Sequence, residues 1–87
     1  MNKILKSVLL CLFNKKYIGK KHTPEEKLIK SKTKWANDKD VNSFKKEYKN
    51  YINERFILRN KKKTKKSSDW HISLNPRKLK KLFKMLK

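Results

Sequence analysis

Proton transfer and metal ligation near neutral pH draw on histidine, cysteine and closely spaced carboxylates. This chain offers His22, His71 and Cys11, with 7 carboxylates set against 27 lysines and arginines. Neither histidine stands in an HxxE or HExxH spacing, so the sequence predicts no catalytic residue, no metal ligand and no cofactor. His22 reads instead as help for a helix cap at Thr23, and His71 as an outward side chain beside Ser73. Cys11 has no partner for an internal disulfide and no CxxC neighbour, and it reads as a core thiol.

The chemistry that remains is cationic contact. A formal charge of +20 on 87 residues repels itself and favours a polyanionic partner. Nucleic acid is the default, because neutralised phosphates release counterions whatever the base sequence. Three basic groups stand out. On one helix face, Lys45, Lys46, Lys49, Asn50 and Asn53 combine phosphate-binding ammoniums with amides able to pair with adenine. A run with Arg59, Lys61, Lys62, Lys63, Lys65 and Lys66 has no acid before Asp69 and suits phosphate contact. Arg77, Lys78, Lys80, Lys81, Lys84 and Lys87 decorate the last segment, a pattern that also suits an anionic membrane surface or a groove on a partner. Trp35 and Trp70 lie in apolar registers and are expected in the core.

These groups need elements to hold them. Ile4, Leu5, Val8, Leu9, Leu12 and Phe13 make one face of a first helix ended by Asn14-Lys15-Lys16. Tyr17-Ile18-Gly19 reads as a short extended segment turning at the only glycine. Thr23-Pro24-Glu25-Glu26 is a capping-box signature for a second helix over 24–35, with Leu28, Ile29, Trp35 and Ala36 inward. Asn37-Asp38-Lys39-Asp40 forms a turn in which Asp40 caps a third helix, over 41–55, with Val41, Phe44, Tyr48, Tyr51 and Ile52 as its packed stripe. Phe56-Ile57-Leu58 and the alternating Trp70-His71-Ile72-Ser73-Leu74 predict a hairpin whose long basic tip, 59–69, is a flexible loop. Asn75-Pro76 opens a final helix carrying Leu79, Leu82, Phe83 and Leu86.

The N-terminus imitates an export signal, but its apolar run is six residues long with no small-x-small site after it. No stretch approaches the ~20 apolar residues that cross a bilayer, so a cytoplasmic chain without integral membrane association is expected.

The expected class is α+β, mostly α with a small hairpin, in the order α-β-α-α-β-β-α over one domain, 1–87. That order, with the 19–26 and 72–78 stretches, resembles the small basic winged helix-turn-helix proteins common in archaea. The resemblance implies that helix 41–55 lies in a DNA major groove and that loop 59–68 runs as a wing along the backbone. The acidic turn 37–40 departs from it, because such domains often approach phosphate there. The expectation is therefore a non-catalytic binder of double-stranded DNA, monomeric or homodimeric. Structured RNA, including ribosome-associated RNA, is the alternative, since charge does not distinguish the polymers.

Overall fold

The computed structural model describes residues 1–63 and 68–86, with the backbone alone at 62, 63 and 68. Helix α1 (Lys3–Asn14) starts where Asn2 accepts hydrogen bonds from the Ile4 and Leu5 amides. Its stripe of Ile4, Leu5, Val8, Leu9 and Leu12 is buried. Around it stand α2 (Glu25–Thr33), α3 (Asp38–Asn53), α4 (Leu79–Leu86) and three strands, β1 (Thr23–Pro24), β2 (Ile57–Lys63) and β3 (Ser68–Leu74). Phe44 and Tyr48 of α3, Ile57, Ile72 and Leu74 of the sheet, and Leu82 of α4 close on α1 to form one core with Phe56. Over the described residues the result is a small α+β domain with four helices and a three-stranded antiparallel sheet.

The strand order is β1-β3-β2, with β3 central. Beside β1, the Gly19 amide donates to the Leu74 carbonyl at 2.9 Å and the Leu74 amide donates to Tyr17 at 2.9 Å. Gly19 makes this bend at φ +64, in the left-handed region that glycine enters without strain. Ser73, fully buried, is satisfied by donating its hydroxyl to the Gly19 carbonyl at 2.9 Å. Asn75 caps a short 3-10 turn (Pro76–Lys78) that leads into α4, as the Asn-Pro signature predicts.

Several expectations are corrected. The capping box at 23–26 does not form, because Thr23 pairs with Ile72 in the sheet and α2 begins at Glu25 after an uncapped Pro24. The extended segment at 17–19 makes only a single parallel bridge, from Ile18 to Leu74, and the first strand lies at 23–24 instead. Helix α3 starts earlier than 41 and ends at Asn53, because the cap is Asn37, whose side chain accepts from the Asp40 amide at 2.8 Å. The acidic turn is thus the first helical turn, where Asp38 and Asp40 suit the positive end of the helix dipole. The basic tip is shorter than 59–69, since β2 runs to Lys63 and β3 resumes at Ser68. Residues 64–67, with Lys65 and Lys66, lie outside the described residues, as does Lys87.

Trp35 is not a core residue. Helix α2 stops at Thr33, so the inward register lapses and Trp35 stands 74% exposed. Trp70 and Phe83 are also largely on the surface, and Cys11 is only half-buried. Among the described residues no helix is long and apolar enough to cross a membrane.

We predict that Leu9→Ala, which empties a fully buried site, destabilises the fold by about 2–5 kcal/mol. Trp35→Ala should stay within about 0.5 kcal/mol. Urea unfolding of the two variants against the native chain checks both.

Candidate nucleic-acid interface

Helix α3 presents two unlike faces. Phe44 and Tyr48 are buried, with Val41, Tyr51 and Ile52 packed beside them. At 3.6 residues per turn the opposite side carries Lys39, Asn42, Ser43, Lys46, Lys49, Asn50 and Asn53, all exposed. Exposed carboxylates border that face at both ends, with Asp38 one turn before Asn42 and Glu54 one turn after Asn50. Glu47 is turned toward α1, where its carboxylate accepts from the Asn2 amide at 2.7 Å. Lys45 is exposed too, on the flank nearer Ile52.

The end of α3 is tied down from two directions. Arg55 takes the left-handed conformation, φ 64, and the Phe56 amide donates back to the Tyr51 carbonyl at 2.9 Å, closing the helix. The Asn75 side-chain amide donates to the Arg55 carbonyl at 2.8 Å, and the Lys78 ammonium donates to the Glu54 carbonyl. Lys78 thereby serves as a helix-end cation lying over the Phe56 ring at 4.8 Å.

A single carboxylate links the three elements that frame the candidate interface. Glu25 of α2 accepts the Tyr48 hydroxyl of α3 at 2.6 Å and takes both Nε and Nη2 of Arg59 of β2, at 2.7 and 2.9 Å. The Glu25 side chain is 13% exposed. Burial first, and then donation to the Glu25 carboxylate, hold the Tyr48 phenol far above the usual range for its ionisation. The same carboxylate raises the Arg59 guanidinium further, chiefly by hydrogen bonding. On its other side Arg59 lies over the Trp70 ring at 4.0 Å, with the Lys61 ammonium 5.8 Å from the same ring.

The geometry sorts the expected contact residues. Lys46, Lys49, Asn50 and Asn53 are together and exposed on the outer side of α3, while Lys45, expected on the same face, is exposed on the flank apart from them. Asn53 also meets β2, lining with Arg55, Leu58, Arg59 and Asn60 a polar hollow of about 410 Å³ where the helix end faces the hairpin. Lys61 is exposed, and Lys62 and Lys63 continue the same strand. Arg59 differs from the others: its guanidinium is already engaged by Glu25 and Trp70, which makes it a strut of the hairpin rather than an open phosphate contact. On the far face of the sheet His22 and His71 meet, with Nδ1 to Nδ1 at 2.8 Å, so the reading of His22 as a capping aid and of His71 as simply outward does not hold.

No protein-family model, curated protein or solved structure matches this chain.

One outer-face residue, Lys39, escapes a reading that starts the helix at Val41, whereas Asn42 and Ser43 fall within it. The signal for Lys39 is Asn37 followed three positions later by Asp40, an N-cap with an acid in the first turn. The Glu25–Tyr48–Arg59 link has no local signal, because its members come from three elements.

The raised Tyr48 pKa has a sign. Its stabilising effect is complete below the ordinary phenol value of about 10 and is lost as pH rises beyond it, since the unfolded chain ionises first. We predict that Tyr48 forms phenolate only as the chain unfolds in alkali, checked by absorbance titration with circular dichroism. Tyr48→Phe, which takes one donor from Glu25, should lower stability by about 1–3 kcal/mol at neutral pH.

Proposed function

We propose that this protein binds nucleic acid without catalysis, as a winged helix-turn-helix module on duplex DNA. The observation that carries the reading is the exposed outer face of α3, with Lys39, Lys46 and Lys49 beside Asn42, Asn50 and Asn53. A major groove is wide enough to admit such a helix, and amides and ammoniums are the groups that read adenine and guanine edges there. The hairpin supports it. Strand β2 leaves the hollow it shares with Asn53 and carries Lys61, Lys62 and Lys63 away from the helix, with Lys65 and Lys66 following in the sequence. A second basic element beside a groove-bound helix suits a phosphate contact along the backbone. The element order α-β-α-α-β-β-α is the one that the winged-helix resemblance implies. The proposal extends to a cytosolic location and leaves monomer or homodimer to the spacing of bound half-sites.

Competition titrations against duplex DNA, single-stranded DNA and structured RNA over a range of salt test it. We expect duplex DNA to win. Each phosphate-contacting lysine lost in Lys46→Ala, Lys49→Ala or Lys61→Ala should flatten the log–log salt slope by about 0.9. If Asn50 or Asn53 reads bases, its alanine variant should lose about 1–3 kcal/mol of discrimination. A preference for RNA would transfer the reading to that polymer, and absence of binding at physiological salt would overturn it.

A further inference from the structure

Helix α4 leaves part of its apolar surface uncovered where it meets α1. Leu82 is buried in the core, with Leu79 and Leu86 packed against it, and that seating turns Phe83 sideways toward Phe13 of α1. The two rings meet edge to face with centroids 6.3 Å apart. Together with Leu10, Asn14 and Leu86 they line a hollow of about 330 Å³. Leu10 is 40% exposed and Phe83 53%, so the apolar floor of the hollow is open to solvent. We infer that this hollow docks an acidic amphipathic helix of a partner protein.

Charge complementarity sets the chemistry of the partner. All seven carboxylates of the chain fall within 25–69, and neither α1 nor α4 holds one. On one side of Phe83 the exposed Lys80 and Lys84 stand about one turn apart along α4. Beyond Leu10 a second hollow, of about 480 Å³, is bordered by Lys3, Lys6, Lys15 and Lys32, with no acid among the described residues that line it. An apolar floor between two lysine rims is the complement of a helix whose apolar stripe is flanked by carboxylates.

Shape separates this occupant from the others. An anionic bilayer takes apolar side chains that stand out from one face of a helix. Phe83 and Met85, the exposed apolar residues of α4, lie about 200° apart around it and do not share a face. A second copy of this chain would set lysine rim against lysine rim. Duplex DNA would bring phosphates to the rims and leave Leu10 and Phe83 without apolar contact. The inference is independent of the nucleic-acid reading, since neither hollow is lined by α3 or by the described residues of the hairpin.

The test titrates the isotope-labelled full-length chain with a synthetic amphipathic peptide of about 15 residues, leucine on one helical face and glutamate on the other, followed by NMR. Saturable shifts centred on Leu10, Phe13, Phe83 and Leu86 are expected. Leu10→Gln and Phe83→Gln, both at exposed positions, should each weaken binding more than about fivefold with the circular dichroism unchanged, whereas Lys46→Ala should stay within about twofold. A control peptide with glutamine in place of leucine keeps the charge and should not shift those four residues. Equal binding of the control, shifts centred on α3 or the hairpin, or no saturable binding at millimolar peptide would overturn the inference. Leu10-dependent capture on phosphatidylglycerol vesicles without peptide binding would overturn it too, and assign the face to a bilayer.

Discussion

The arrangement of this domain depends on one carboxylate. Glu25 sits at the start of α2, where the helix dipole favours negative charge, and it draws in the Tyr48 hydroxyl and the Arg59 guanidinium. Tyr48 belongs to the helix with the basic face and Arg59 to the first strand of the hairpin, so one acid sets the angle between them. In a chain of charge +20, taking up one cation in a bidentate, partly buried pair also removes a repulsion at the point where the elements meet. Trp70 completes the joint by lying under Arg59.

Around that joint the remaining contacts divide the labour. The apolar stripe of α1 supplies the surface on which α2, α3 and β3 pack, and its five buried positions need no help from charge. The far end of α3 is held by Asn75 and Lys78, so the start of the last helix doubles as a brace for the third. The exposed lysines and asparagines of α3 are then free of structural duties. Packing and the exposed basic groups occupy different sides of the same helix.

Much of this was legible in the sequence, and what was not has physical reasons. The helices follow from apolar spacing, and Asn75-Pro76 starts the last one as such a pair should. Trp35 misleads because residue type alone does not fix direction, and the helix that would turn it inward ends two residues before it. The strand at Lys61–Lys63 has no apolar alternation. It forms because β3 supplies the hydrogen-bonding partner, which no local pattern records. Arg59 resembles its lysine neighbours in the sequence and differs only through Glu25 and Trp70. The histidine contact likewise belongs to the antiparallel pairing of β1 with β3, since it joins residues from opposite halves of the chain.

Strand β2 is the outer strand of its sheet, and its free edge would template the addition of a strand from another molecule. Its sequence there is Lys61-Lys62-Lys63, and a second copy laid alongside would bring like charges together in register. The same ammoniums that suit a phosphate backbone thus guard the chain against edge-to-edge aggregation while it is unbound, and a polyanion that neutralised them would lift that protection.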